Sequence, residues 1–274
     1  MQILRIQPKI DNRKRYNYKV NYGVWDCIDT ETIFLEDILT TQDSFIESFD
    51  LVFLPMYKRW EYYLAQLERI KKLNVKTVLF DNDSCYRSFS DSFYNGIYFI
   101  FYRIKDKDSK NPKTPSAKLH WSVDTEYYTP NYGGKGISFN CTVNHHSYEL
   151  RKEIARHIKP TSYFGNQYVE HLQNSAAGIH TNSKTSPIPR CKMLEYAACG
   201  TEIISNRMEG MNDYFPDELI TYFDTIDELL EIVDNFKPSI EVQKELRKIV
   251  EDTHSDKQRS LEVMDTLKKH FKLN

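Results

Sequence analysis

Several protein classes are excluded by what this 274-residue sequence lacks. Its five cysteines, Cys27, Cys85, Cys141, Cys191 and Cys199, are odd in number and widely spaced, with no Cys-x-x-Cys pair. That argues against zinc knuckles and dithiol redox motifs and fits free thiols in a reducing compartment. Glycine is scarce, at nine residues, and neither Gly-x-Gly-x-x-Gly nor Gly-x-x-x-x-Gly-Lys-Ser/Thr occurs. The standard dinucleotide and P-loop cradles need glycine where backbone closes on a pyrophosphate, so neither is expected. The longest clearly apolar runs, such as Ile97 to Tyr102 and Leu51 to Leu54, fall far short of the ~20 residues that cross a bilayer. The opening Met1-Gln2-Ile3-Leu4-Arg5 has no charged-then-apolar secretory pattern. A cytoplasmic protein without a membrane span is therefore expected. Nor is there an excess of positive charge: 37 Lys and Arg face 39 Asp and Glu, a net charge of −2. A globally basic nucleic-acid binder is excluded, while local basic patches stay open.

What is present suits a folded chain with real cores. Residues of the hydrophobic set make up 40%, aromatics 14% and charged residues 28%, and the length suggests about two domains. Gln2 to Ile6 reads as a strand, and helical spacing runs through Thr32 to Leu39. Asp50 to Pro55 reads as a buried strand. Arg59 to Leu73 carries Trp60, Tyr63, Leu64, Leu67, Ile70 and Leu73 near the helical period. Lys76 to Phe80 reads as the next strand. Strand, helix and strand within about 30 residues predict a βαβ unit and a parallel sheet. Ile97 to Ile104 is a further strand. Lys105 to Lys118, with five lysines, Pro112 and Pro115, reads as a solvated loop, and Asn131 to Gly136 as a linker. The second half repeats the alternation. Strands are expected at 137–143, 176–180 and 202–205, and helices at 147–158, 166–174, 190–199, 227–236, 241–252 and 260–271. The expected architecture is two doubly wound, Rossmann-like α/β domains, residues 1–130 and 131–274, with a cleft between them. The last helix is expected to pack back on the N-terminal domain. Ligands of such folds sit at the carboxyl ends of strands, near helix N-termini.

The informative segment runs from Ala176 to Tyr214. A strand ends near His180, and a polar loop from Thr181 to Ser186 precedes a helix that starts near Pro189 and stops at Gly200. Backbone N–H groups at that helix start favour an anion, and Arg190 and Lys192 add formal charge. Together with Thr185 in the loop, they form a candidate diphosphate site. Glu195, further along the helix, is placed to accept hydrogen bonds from two vicinal ribose hydroxyls.

Arg190, Leu194-Glu195-Tyr196-Ala197-Ala198-Cys199-Gly200-Thr201 and Ile203-Ile204-Ser205 resemble the signature of group 1 glycosyltransferases of the GT-B fold. The similarity is strongest to the spore-maturation-protein-like branch. It extends to Met208 through Phe215, to His254-Ser255 with Arg259, and to Ser122-Val123-Asp124 with Pro130. The resemblance implies two Rossmann-like domains and a nucleotide-sugar donor held by the C-terminal helix. It also implies a sugar transfer, with a UDP-sugar favoured as donor and the acceptor on the N-terminal side. No cofactor beyond the co-substrate and no divalent metal is expected. Many retaining members carry a pair of glutamates; Glu195 matches the second, and the first falls at Pro187, which leaves the stereochemical outcome open.

Other residues enter by analogy with that fold. Asn144, His145 and His146 follow the first strand of the second domain, and with Arg151 they are candidates for the donor side. His180, at a strand end, is a candidate for catalysis. Asp81-Asn82-Asp83 resembles the Asp-x-Asp of GT-A glycosyltransferases, which holds a divalent metal on the donor. In the GT-B reading, Asp81 or Asp83 instead binds the acceptor or serves as general base. Basic stretches at 13–19 and 103–118 suit an anionic acceptor: a polymer, a glycan or modified DNA. A metal-dependent GT-A transferase and a non-catalytic nucleotide-sugar-binding protein remain the alternatives, with an epimerase behind them.

Overall fold

The computed structural model describes residues 1–7, 24, 26–56, 64–81, 94–102, 114–141, 149–181 and 189–273; of residues 55, 56 and 81 it describes only the backbone. The chain forms two compact units. The first comprises Met1–Lys14, Ile28–His120 and Glu262–Asn274, and the second Arg15–Cys27 and Trp121–Leu261.

The first unit is built on a six-stranded, all-parallel sheet. Its strands are β1 (Ile3–Gln7), β2 (Glu31–Phe34), β3 (Leu51–Met56), β4 (Lys76–Asp81), β5 (Phe99–Tyr102) and β6 (Ser116–Lys118), in the order β2-β1-β3-β4-β5-β6. Between them lie α1 (Asp43–Glu47) and α2 (Leu64–Ile70). Two strands stand where the sequence predicts otherwise. Glu31–Phe34 is a parallel partner of β1, and a short 3-10 turn at Leu35–Asp37 follows it. Thr32 and Ile33 are β-branched and suit a strand. Ser116–Lys118 pairs with β5 inside the lysine-rich stretch read as a loop. Both are edge strands with no fully buried residue. They lack the apolar run that marks a strand covered on both faces.

The central strands carry that run. Leu4, Ile6, Val52, Leu54 and Leu79 are buried with Leu67 and Ile70 of α2. Phe53, Phe80 and Phe101 also line up across neighbouring strands, Phe80 and Phe101 stacked at 4.9 Å. The end of the last helix, α8 (Asp256–Phe271), belongs to this unit, and its His270 ring lies 4.7 Å from Phe99.

The second unit has a four-stranded parallel sheet: β7 (Ile137–Ser138), β8 (Ala177–His180), β9 (Glu202–Asn206) and β10 (Ile220–Phe223), side by side in chain order. Its helices are α3 (Glu149–Ile154), α4 (Gly165–Gln173), α5 (Cys191–Ala198), α6 (Ile226–Asn235) and α7 (Ile240–Ile249). Alternation along Ala177-Gly178-Ile179-His180 divides β8 between two cores. Ala177 and Ile179 join Ile154, Ile204 and Leu229. Gly178 turns the other way, toward the ring of Tyr196 on α5, as strand periodicity requires. His180 shares that face.

Candidate functional site

Helix α5 is the centre of the second unit. Met193, Leu194, Tyr196, Ala197 and Ala198 are fully buried, so the helix is apolar nearly all round. It can seat this closely against the sheet because residue 178 is glycine. A Cβ there would stand 2.6 Å from the Tyr196 ring, and the Tyr196 hydroxyl donates to the Ile179 carbonyl at 3.2 Å. The helix stops as its sequence predicts. Gly200 takes φ +74°, its N–H donates to the Ala197 carbonyl, and that of Thr201 donates to the Tyr196 carbonyl. This is a Schellman ending. Buried Arg247 donates to the Ala198 carbonyl at 2.7 Å and to the Tyr128 carbonyl at 2.6 Å, further tying down the helix end.

At its other end α5 meets the carboxyl end of β8, and here five of the candidate residues come together. Arg190 is the N-cap, in extended conformation, and its guanidinium lies 5.9 Å from the Trp121 ring. Lys192 donates to the carbonyl of Asn140 and sits 5.6 Å from the Tyr168 ring. Arg151, from α3, donates through Nε to Thr181 Oγ1 at 2.8 Å and through a terminal nitrogen to the Thr181 carbonyl at 2.7 Å. His180 lies among these three cations, only 1% exposed. Burial, reinforced by Arg151, Lys192 and Arg190, holds its imidazole down to about 3, so the ring is neutral at physiological pH. Burial likewise lowers the Lys192 ammonium, against the pull of Glu195.

Glu195 is buried. Its Oε2 accepts a 2.6 Å hydrogen bond from the Tyr168 hydroxyl, and the side chains of Cys191 and Tyr128 also hydrogen-bond to it. Burial pushes its carboxyl up from the ordinary range, while Lys192 and these donors pull it back. Tyr168, Tyr128 and Asn140 are participants that sequence reasoning missed. Asn140 pairs with the backbone of Tyr163 at both its N–H (2.9 Å) and its carbonyl (3.3 Å), which fixes the loop before α4. Of these, only Tyr168 left a signal: a tyrosine within a helix already expected.

The three outlying motif segments converge. Val123 forms a parallel bridge with Ser255: its N–H donates to the His254 carbonyl at 3.0 Å, and the Asp256 N–H donates back to Val123 at 3.0 Å. Arg259 donates to His254 Nδ1 at 2.9 Å, and His254 Nε2 pairs with the Tyr214 carbonyl at 3.1 Å. The Tyr214 hydroxyl accepts from the Trp121 N–H at 3.1 Å. These segments thus build a platform whose Trp121 lies beside Arg190.

Asn144, His145, His146, Thr185, Asn82 and Asp83 lie outside the described residues, and Asp81 is described only as the last residue of β4. Among the described residues, no group of three or more His, Cys, Asp or Glu could hold a metal ion, and no helix is long and apolar enough to cross a membrane.

This arrangement of sheets and helices is found in known structures. HepE of Anabaena, solved in complex with UDP, matches with a TM-score of 0.66 over 98% of this chain and 100% of its own, at 10% identity. The DNA-modifying enzyme β-glucosyltransferase, solved in the presence and absence of uridine diphosphoglucose, matches at 0.66 over 100% of both chains, at 12% identity. A glycosyltransferase from Rickettsia africae matches at 0.63 over 100% of this chain and 99% of its own, at 12% identity. The fold is GT-B. Residues 134–265, which include Arg151, His180, Arg190, Lys192 and Glu195, also match the glycosyl transferase-like family model. The GT-B architecture is thus coupled to a family signature in the unit that carries the cations. Comparison with curated proteins by sequence finds no match.

Proposed function

We propose that the protein is a glycosyltransferase that binds a nucleoside diphosphate sugar, with UDP as the nucleotide, in its second unit. The observation that carries this reading is the meeting of Arg151, Arg190 and Lys192 around buried His180, where α5 begins. Three cations, a helix N-terminus and one buried carboxylate leave a net positive site suited to a diphosphate. The neighbours solved with UDP and with uridine diphosphoglucose support the choice of nucleotide.

In this reading Arg190, Lys192 and Arg151 hold the phosphates, and Asn144, His145 and Thr185 are assigned to the donor as well. As the bond to the sugar breaks, negative charge grows on the leaving diphosphate, and cations already in place stabilise it without reorganising. They do the work that a divalent metal does in other transferases, so no metal is required. Glu195, oriented by Tyr168, offers its remaining lone pair to a ribose hydroxyl. Asp81 or Asp83 serves the acceptor. A hexose is the expected cargo. The acceptor class is an anionic polymer, a glycan or modified DNA, and the DNA-modifying neighbour adds weight to the last.

Thermal shift tests this. UDP and UDP-sugars are expected to raise the melting temperature in excess EDTA, by mass action on the folded state. Arg190→Ala and Glu195→Ala should each weaken UDP about tenfold or more, the scale of a lost hydrogen bond to a charged group. A shift that appears only with Mn²⁺ and ignores Arg190 and Glu195 would overturn the reading.

A further inference from the structure

We propose that His180 donates its Nδ1–H to a phosphate oxygen of the bound diphosphate, acting as a neutral hydrogen-bond donor and not as a base. The inference rests on the donor-site reading above and assigns one atom within it. The Nε2 of His180 lies 3.4 Å from the backbone nitrogen of Arg190, whose N–H can only donate. Nε2 is therefore the acceptor nitrogen, and the neutral ring carries its proton on Nδ1. That Nδ1 is buried and has no hydrogen-bond partner among the described residues. A buried donor left unpaired is costly, and at the carboxyl end of a strand in this fold it marks a ligand contact.

The surroundings select the acceptor atom. Arg151 approaches from α3, and Arg190 and Lys192 from the start of α5, so the potential at the ring is positive and the fitting oxygen is anionic. The same cations, together with burial, keep the ring uncharged. The arrangement also removes His180 as a general base: one nitrogen is occupied by a backbone donor, and the other already carries a proton. A proton taken from an acceptor hydroxyl must go elsewhere.

The test observes the ring directly. Wild-type protein labelled with ¹⁵N-histidine is titrated with inorganic pyrophosphate and with UDP between pH 6 and 8. In parallel, calorimetry compares wild type, His180→Ala and His180→Asn, whose amide N–H replaces Nδ1–H. The expected ring signal is neutral and protonated on Nδ1 throughout, and pyrophosphate shifts it. His180→Ala should weaken pyrophosphate about tenfold or more, with most of the loss restored in His180→Asn. An Nε2-protonated ring, a ring that titrates in this range, or a ring indifferent to pyrophosphate overturns the proposal, and the wild-type experiment decides even if His180→Ala fails to fold. If UDP fails to bind while pyrophosphate still moves Nδ1–H, the nucleotide reading falls and the contact stands. If UDP binds wild type and His180→Ala alike, the contact falls and the nucleotide reading stands.

Discussion

At the scale of single residues, the environment of His180 ties the site to stability. An unfolded histidine takes a proton near its ordinary 6.5, whereas this ring resists until about 3. Because the folded value is depressed, the contribution is full above pH 6.5 and is lost as the pH falls toward 3. The total is on the order of 5 kcal/mol. Glu195 has the opposite sign. Its folded value is raised from the ordinary 4.5, so its contribution is lost as the pH rises above that point. Urea denaturation of wild type and His180→Asn at pH 7, 5 and 4 separates the two: the variant should lose less stability on acidification, while the Glu195 trend persists in both. The cations at 190 and 192 and the acid at 195 were legible in the sequence, because charge beside a strand–loop–helix transition is a local pattern, whereas Arg151 entered by analogy with the GT-B fold. Tyr168 and Tyr128 were not, since their partner Glu195 is 27 residues away in the first case and the apolar half of each ring reads as core. Asn140 escaped notice for the same reason: its partners are in another loop and another helix.

At the scale of elements, local chemistry and tertiary fit part company. The Pro189 start and Gly200 stop of α5 can be read directly, and the helix runs between them. The closeness of its packing cannot, because it depends on Gly178 facing Tyr196 across 18 positions of chain. Gly178→Ala would put a Cβ 2.6 Å from the ring. It should cost about 1–3 kcal/mol, the usual price of overpacking, measurable as a fall in the urea midpoint. UDP affinity should fall too, since any retreat of α5 carries Arg190 and Lys192 with it. The edge strands β2 and β6 show the converse. Half-exposed and short, they satisfy backbone hydrogen bonds without apolar periodicity, so sequence pattern alone misses them.

At the scale of the whole molecule, alternation of strand and helix was enough to predict parallel sheets, and both sheets are parallel throughout. The pairing of Val123 with Ser255 depends on long-range topology and has no counterpart in local composition. The first unit likewise takes in the far end of the chain. Val263 and Leu267 of α8 are fully buried. Deleting residues 262–274 should remove about 3–6 kcal/mol of burial, at about 1.5–3 kcal/mol for each of these two side chains. That is comparable with the whole stability of a typical domain. Hydrogen exchange should then show loss of protection in β5, where Phe99 meets His270, before any loss in β8 and β9.

Unit membership of that tail also dictates an order of events during synthesis. Multidomain chains generally finish their N-terminal domain first, as the ribosome feeds it out. Here the sheet that opens with Ile3 must wait for Phe271. The second unit can complete its core while the first is still missing its last helix. The nascent chain therefore folds from its middle outward, and Phe99 gains its contact with His270 only after residues 262–271 have left the ribosome.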